Sequence, residues 1–191
     1  MNRVEMQIRS LPSKFETRAE DGSKYIEGYF AVFNQETELF PGAFESVAPE
    51  AMSGIDGRDV RGLANHDTRL VMGRTKAGTM TLRTDTYGLY GRIRINENDT
   101  DALNLYARVE RGDVDQCSFG FEITSEETEW RDDGTVHWRI TGLDLHEVSV
   151  CTFPAYEGTS VQAREAQYER ESQRRLDTRR QQLKERMKKL A

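Results

Sequence analysis

The sequence predicts a mainly β protein with flanking helices, an α+β fold whose strands form a closed or partly closed barrel, followed by a charged C-terminal helix. Two observations lead to this prediction. Short segments rich in aromatic and β-branched residues recur from Lys24 to about His146, separated by turn sequences. After Ala163 glycine and proline disappear and good helix formers replace them. Strands this frequent are typical of an all-β barrel or sandwich.

The charge distribution divides the chain of 191 residues in two. Residues 164–191 contain ten Lys or Arg and five Asp or Glu, a net charge of +5, whereas residues 1–163 contain 17 and 28, a net charge of −11. We therefore predict one domain at residues 1–163 and a helical or disordered charged tail at residues 164–191. Because the acidic body lacks clustered cations, it is not expected to bind a nucleic-acid backbone, and only the tail is a candidate for that role.

The strand segments are predicted in chain order from their composition. They are KYIEGYFAVFN, VRGLANHD, MTLRTD and GLYGRIRI, with a hairpin turn at TYG between the last two. A second hairpin is predicted in ITSEETEWRDDGTVHWRITGLDL, with its turn at DDG.

Two helices are predicted among these strands. In PGAFESVAPEAM, Pro41 lies near a helix start, and Phe44 and Val47 are three residues apart. In NDTDALNLYARVERG, residues 98–100 offer N-caps and Gly112 marks the end. Its apolar residues at helical spacing are Ala102, Leu103, Tyr106 and Val109. We expect this helix to cover the barrel.

The number of cysteines and the hydropathy of the chain predict the compartment in which the protein works. The only two cysteines, Cys117 and Cys151, lie in apolar segments and do not indicate a disulfide framework. The first ten residues lack the apolar stretch of a signal peptide, and no segment is long enough to span a bilayer. We therefore expect a soluble protein of a reducing cytoplasm.

The segment DQCSFGFEI alternates as a strand does. One predicted face carries Cys117, Phe119, Phe121 and Ile123, and the other carries Gln116, Ser118, Gly120 and Glu122. Ser118 thus points away from the apolar face, on the same face as a glycine that leaves free space. The pattern fits an ordinary polar residue on a solvated face, and it equally fits a nucleophile with room for a substrate.

A second segment, GLDLHEVSVCTFPAY, places a carboxylate among apolar residues. Simple alternation puts Leu143, Leu145, Glu147, Ser149 and Cys151 on one face, and Asp144, His146, Val148 and Val150 on the other. A buried, unpaired carboxylate is costly, so we expect Glu147 to have a hydrogen-bonding partner. An imidazole would serve and would become a stronger base, but an arginine or a backbone amide would serve as well.

A catalytic triad follows as a hypothesis from three residue types. His66, in LANHDTRL, ends a predicted strand, where a rigid backbone presents a side chain to open space, although a histidine there is more often simply solvated. A serine needs a base to become a nucleophile, and the base works best when a third group orients it. Ser118, His66 and Glu147 suit these roles, outside any G-x-S-x-G elbow.

Other sites are weaker. Cys117 lies on the apolar face, where thiols are usually inert. A metal site from His66, Asp67, His137 and His146 lacks the spacing of known zinc motifs, and no glycine-rich phosphate loop occurs. We therefore expect no metal and no organic cofactor.

Taken together, EGYFAVFN, PGAF, LANHD, SFGF and HEVSVCTFPAY, in this order, resemble the prohead maturation proteases of tailed phages. The resemblance extends from about Ile26 to Tyr156. It implies that Ser118 is the nucleophile, His66 the general base and Glu147 the acidic third member. Asp144 and His146 lie close enough in sequence to compete for that third role.

The resemblance also implies a fold and a biological setting. The family is related to the herpesvirus assembly protease, assemblin, so an assemblin-type barrel is expected. The implied activity is that of a serine endopeptidase inside the phage procapsid, in the host cytoplasm. It would cleave scaffold, or the scaffold-like N-terminal region of the major capsid protein, and then itself. The turn TFPAYEG is the expected place for an oxyanion hole.

Partners implied by the resemblance are the capsid or scaffold substrate and a second copy of the chain, without a membrane or nucleic acid. The charged tail would hold the enzyme on the scaffold or be removed by self-cleavage. Two rival functions stay open at this point: a catalytically silent assembly protein of the virion that uses the same barrel, and a nucleic-acid-binding protein that acts through the tail.

Overall fold

The computed structural model describes residues 6–12, 15–153 and 158–190, and this part of the chain is mainly β, as predicted. The strands are β1 (Gln7–Pro12), β2 (Glu16–Glu20), β3 (Ser23–Val32), β4 (Thr37–Phe40), β5 (Ala43–Val47), β6 (Arg61–Ala64), β7 (Asp67–Arg74), β8 (Met80–Thr84), β9 (Gly88–Arg94), β10 (Gln116–Trp130) and β11 (Val136–Cys151). The helices are α1 (Thr100–Arg111) and α2 (Gly158–Leu190), with short 3-10 helices at Pro49–Met52 and Ile55–Gly57.

The strands form two sheets. The larger, seven-stranded sheet has the order β1-β10-β11-β5-β4, and β6 pairs with the other end of β11 and with β7. Both β5 and β6 run parallel to β11, which makes this sheet mixed. The smaller sheet is antiparallel, in the order β2-β3-β9-β8. Between the strands described, hydrogen bonding closes neither sheet into a ring, so no closed barrel is found, and the assemblin-type barrel stays a prediction.

One apolar cluster joins both sheets and α1. Ile26 and Phe30 from β3 share it with Phe119 and Phe121 from β10, and all four side chains are almost fully buried. Burying a side chain of this kind contributes about 1.5–3 kcal/mol, so the cluster is the main source of stability. The cluster holds β10, the strand that carries Ser118, in place.

The helix α1 confirms the prediction for NDTDALNLYARVERG. Asp99 is the N-cap, and its carboxylate accepts hydrogen bonds from the backbone N–H groups of Asp101 and Ala102. Gly112 ends the helix with a φ of 81°, a conformation that glycine adopts without strain. The buried side chains are Ala102, Leu105, Tyr106 and Val109.

The helix predicted for PGAFESVAPEAM is wrong. Pro41 and Gly42 form the turn between β4 and β5, with a φ of 81° at Gly42, and the helical part is only the 3-10 turn at Pro49–Met52. Strand β5 pairs in parallel with β11, from Ala43 opposite Val136 onward. Because its partner lies about 90 residues later in the chain, the local spacing of apolar residues did not reveal the strand.

Both predicted hairpins are confirmed. Strands β8 and β9 pair across the TYG turn, where the backbone N–H of Asp85 donates to the carbonyl of Gly88. Strands β10 and β11 pair over most of their length, and their turn contains DDG.

A bulge in β11 corrects the predicted faces of this strand. Gly120 pairs with Glu147, but Phe121 pairs with Leu145, so His146 is an extra residue and the alternation reverses there. The core side therefore carries Leu143, Leu145, Val148 and Val150. The opposite side carries Glu147, Ser149 and Cys151, together with Ser118 and Gly120 from β10. Glu147 is thus on a polar face of the sheet, and not among the leucines as the sequence pattern predicted.

The helix α2 begins at Gly158, ahead of the boundary predicted at Ala163, and is continuous across it. Arg164 is buried against Glu45 and Glu126, and Tyr168 stacks on Trp130. The first turns of the tail therefore pack on the larger sheet, and the division of the chain at Ala163 stays a prediction. Among the described helices, α2 included, none has the apolar length that crossing a bilayer requires.

Candidate active site

His66 lies in the turn between β6 and β7, in a backbone conformation that few residues adopt. The φ angles of Asn65 and His66 are 50° and 59°, in the left-handed region that glycine adopts freely and that other residues, asparagine more often than most, enter uncommonly. Three contacts impose it here. Asn65 donates from its N–H to the carbonyl of Val150 and accepts at Oδ1 from the N–H of Thr152, while the His66 N–H donates to Ser149 Oγ. Such strain is concentrated at functional sites.

The imidazole of His66 is paired with Glu147. Its Nδ1 lies 2.7 Å from Oε1 of Glu147, and the Ser149 hydroxyl donates to Oε2 of the same carboxylate at 2.6 Å. Both carboxylate oxygens are therefore satisfied although the residue is buried. Of the partners considered from the sequence, the structure provides the imidazole.

These contacts change the protonation of His66. Burial lowers the pKa of the imidazole, but the hydrogen bond with Cys151, the hydrogen bond with Glu147 and the negative charge of Glu147 outweigh burial and raise the pKa to about 10. The imidazolium is thus the stable form at neutral pH, held by the carboxylate on one side.

Ser118 lies on the same face of the sheet but does not bond to His66. It is fully buried, pairs with Ser149 across the β10–β11 ladder, and donates from Oγ to the carbonyl of Arg9 on β1 at 2.9 Å. The other ring nitrogen of His66, Nε2, lies 3.7 Å from Cys151 Sγ. The structure therefore brings His66 and Glu147 into contact and places Ser118 beside them, with its hydroxyl turned toward β1.

Gly120 provides the space for the Glu147 carboxylate. A Cβ at Gly120 would lie 2.5 Å from Oε1 of Glu147, closer than any real contact. The free space beside Gly120, which the sequence pattern offered to a substrate, is thus occupied by the Glu147 carboxylate. This part of the sequence interpretation is wrong, because the bulge at His146 moves Glu147 to the glycine's face.

Comparison with known proteins now identifies the family. A family model described as caudovirus prohead serine protease matches residues 13–174. The chain belongs to this family. It is 32% identical over 149 residues to the prohead protease of Enterobacteria phage HK97, which covers 75% of this chain and 61% of that protein. The chain thus spans less than two thirds of the length of that relative.

A solved structure shares the fold. The capsid assembly protease of bacteriophage T4, gp21, superposes with a TM-score of 0.54 and 16% identity, over 80% of this chain and 100% of that one. At this identity the likeness shows a common fold and no more. The match to the prohead protease family also includes the first turns of α2, which agrees with their packing on the sheet.

In this member of the prohead protease family, several residues of the site were not singled out by the sequence. Of these residues, only Asn65 could have been recognised from the sequence, because an asparagine before the histidine is suited to a left-handed turn. Ser149 had the correct spacing from Glu147 but no distinguishing motif. Cys151 and Arg9 could not be found, since their contacts depend on pairing between distant strands.

The other residues considered for the third catalytic role or for a metal site have partners away from His66. Asp144 pairs with Arg58, and His146 lies 3.4 Å from Glu122. His137 bonds through Nε2 to Ser46. In the described part of the chain, no three His, Cys, Asp or Glu residues come together as metal ligands would. Most of the turn expected to form the oxyanion hole, residues 154–157, lies outside the described residues.

Proposed function

We propose that this protein is a serine endopeptidase of prohead maturation, with Ser118 as nucleophile, His66 as general base and Glu147 as the acid that orients the base. The observation that carries the proposal is the 2.7 Å contact between His66 and Glu147 on the sheet face that also bears Ser118. Membership of the prohead serine protease family supports the same assignment.

Sheet geometry supports the reach from His66 to Ser118. The two ring nitrogens contact Glu147 and Cys151, which flank Ser149 on β11, and Ser118 is the direct partner of Ser149. Ser118 is therefore a diagonal neighbour of Cys151, a separation of roughly 7 Å between Cα atoms. In the proposed mechanism, the imidazole turns from Cys151 to Ser118 as the serine hydroxyl leaves the Arg9 carbonyl.

The proposed chemistry is acyl transfer in two steps. Ser118 Oγ attacks the scissile carbonyl while neutral His66 accepts its proton at Nε2, and the resulting imidazolium is stabilised by Glu147. The imidazolium then protonates the leaving amine, which departs and leaves an acyl-enzyme. A water molecule, deprotonated by the same imidazole, cleaves the ester and restores Ser118.

The proposed substrates are scaffold, or the scaffold-like N-terminal region of the major capsid protein, followed by the chain itself, inside the procapsid in the host cytoplasm. The similar proteins are named as a prohead protease and a capsid assembly protease, which supports these partners. A second copy of the chain as partner and an assemblin-type barrel remain part of the proposal.

Co-expression with the capsid and scaffold proteins of the same phage tests the proposal. We compare wild type, Ser118→Ala and Cys151→Ala by intact mass, because Cys151 also contacts His66. Truncated products from wild type and Cys151→Ala, and none from Ser118→Ala, are expected. Loss of cleavage in Cys151→Ala alone would assign the thiol as nucleophile. Uncut masses in all three folded proteins would favour the silent assembly protein.

A further inference from the structure

A cavity of about 280 Å³ opens beside the His66–Glu147 pair. Its apolar wall is formed by Leu63 on β6, Val71 on β7 and Met6 ahead of β1. His66 and Glu147 form the adjoining wall. Glu147, the partner of Nδ1, lines this cavity, whereas Cys151, the neighbour of Nε2, is not among the described residues that line it.

Two of the three apolar side chains, those of Met6 and Val71, lie outside the hydrophobic core. Met6 and Val71 are 47% and 46% exposed, and neither belongs to an apolar cluster. Leu63 is only 4% exposed, but it pairs with Ser149 and therefore lies on the sheet face of the site. Two exposed apolar side chains and one buried one around the same concavity indicate a surface that binds an apolar group.

The basic residues Arg61 and His146 also line the cavity, and each already has an acidic partner that is not part of the lining. Arg61 pairs with Asp59, and His146 lies within 3.4 Å of Glu122. A charged substrate side chain in the cavity would therefore lose its hydration without a free counter-ion there. The volume corresponds to roughly nine water molecules at about 30 Å³ each, which is enough for a side chain as large as leucine or phenylalanine.

We propose that this cavity is a substrate subsite that takes a large apolar side chain, such as Leu, Ile, Met or Phe, from a residue close to the scissile bond. The inference rests on the proposed function, because the scissile bond must lie at His66. It adds a substrate class to that function: peptides with an apolar residue at one fixed position near the cut.

The first test is the cleavage profile of a denatured peptide mixture, read by mass spectrometry. Val71→Asp places a carboxylate on the wall of the cavity, at a position that is 46% exposed. Leu176→Asp, on α2 and 48% exposed, is the matched control. Wild type and control should cut sites enriched in apolar residues at one position, and Val71→Asp should cut those sites at least tenfold more slowly. An unchanged profile in Val71→Asp, or no apolar preference in wild type, would overturn the inference.

The second test does not depend on proteolysis. In the Ser118→Ala protein, methyl NMR follows Met6, Leu63 and Val71 during titration with N-acetyl-leucine methylamide or with N-acetyl-aspartate methylamide. Saturable shifts at these methyl groups with the leucine compound alone are expected. If they appear while wild type cuts nothing, the cavity binds apolar side chains but is not a protease subsite, and the proposed function fails. If wild type cuts but neither the shifts nor an apolar preference appears, the function stands and the subsite is refuted.

Discussion

At the scale of single residues, Ser149 ties the proposed base to the proposed acid. Its fully buried hydroxyl donates to Glu147 at 2.6 Å and accepts the backbone N–H of His66 at 3.2 Å. One side chain thus fixes the carboxylate and also helps to hold the left-handed backbone of His66. We infer that Ser149 is a positioning residue for the proposed reaction.

Replacing Ser149 with alanine should therefore impair activity more than stability. We expect kcat/KM for Ser149→Ala to fall at least about tenfold, equivalent to ~1.4 kcal/mol, because a buried carboxylate oxygen and a backbone N–H lose their partner. Ser125→Ala is the control, since that hydroxyl is exposed and its hydrogen-bond partner among the described residues is Thr141. Equal kcat/KM in both variants would show that Ser149 does not position the pair.

A second prediction at the residue scale concerns Gly120, whose missing side chain leaves space for the Glu147 carboxylate. Gly120→Ala should displace the Glu147 carboxylate, because the added Cβ would approach its oxygen to 2.5 Å. We expect a loss of activity of about 100-fold with the protein still folded, as misplaced catalytic groups are costly. Gly57→Ala is the matched control, since nothing lies within 4 Å of its added Cβ. Peptide cleavage rates and circular dichroism provide the comparison, and wild-type rates in Gly120→Ala would contradict it.

The raised pKa of His66 predicts the pH dependence of activity. With a pKa of about 10, only a small fraction of the imidazole is neutral at pH 7, so kcat/KM should rise as the pH approaches 10. Cys151→Ala removes one contact that raises this pKa and should move the rise to lower pH. The profiles are measured on the peptide identified by co-expression. Superimposable profiles for wild type and Cys151→Ala would refute the role of the thiol.

The same pKa predicts the opposite trend for stability. The folded-state pKa of His66 lies above the ordinary value of 6.5, so its contribution is complete below pH 6.5 and is lost as the pH rises through 10. The free energy of unfolding of wild type should therefore exceed that of His66→Gln at pH 6, and the difference should shrink by pH 10.5. Urea denaturation of both proteins at the two values measures it, and a constant difference would be inconsistent with the raised pKa.

At the scale of elements, a buried ion cluster fastens α2 to the larger sheet. Glu45 on β5 binds both Arg9 on β1 and Arg164 on α2, and Arg164 also binds Glu126. Burial raises the pKa of Glu45, but the two guanidinium groups outweigh burial and hold this pKa below its usual value. The carbonyl of Arg9 is the group that accepts the Ser118 hydroxyl, so α2 is linked through β1 to the proposed nucleophile.

Removing Arg164 should destabilise the whole domain. Arg164→Ala leaves Glu126 without its cation and Glu45 with one cation, and breaking a buried pair costs about 3 kcal/mol. For a chain of this size the melting temperature should fall by roughly 6–12 °C. Arg180→Ala, which breaks an exposed pair with Asp177, should change it by about 2 °C or less. Equal melting temperatures for the two variants would mean that the cluster does not anchor α2.

At the scale of the whole molecule, charge separates along the chain. Residues 1–163 carry a net charge of −11 and residues 164–191 a net charge of +5. The distal half of α2 is exposed and includes the apolar residues Leu176, Leu183 and Met187. An acidic body and a basic helix are complementary between copies of the chain, which leads to a prediction about self-association.

We expect weak self-association that salt suppresses. Sedimentation velocity at about 0.05 M and about 0.5 M salt should show a larger average mass at the lower ionic strength, because screening weakens exposed charge pairs. Truncation after Arg175 keeps Arg164 and Tyr168 in place but removes the distal basic helix, and it should abolish the effect. A mass that does not change with salt in the full chain would refute this prediction.

Much of the fold could be predicted because its determinants are local. The helix α1, both hairpins and the alternation of β10 up to Ile123 follow from residues close together in the chain. The helix predicted from Pro41 is wrong because its determinant is not local: β5 is a strand because it pairs with β11. The only local indication was the Pro41–Gly42 dipeptide, which forms the turn before β5. The choice of His66, Ser118 and Glu147 as candidates rested on residue chemistry, and their catalytic roles stay a proposal.

The sequence by itself determined a mainly β chain, an acidic body with a basic helix, and the residue types of the candidate site. Only the tertiary structure decided which face Glu147 occupies, because one extra residue at His146 reverses the alternation of β11. It also decided that Ser118 bonds to Arg9, 109 residues away, and that Arg164 reaches Glu45 across 119 residues. Contacts over such separations arise from strand register and packing of the whole chain, which no local pattern encodes.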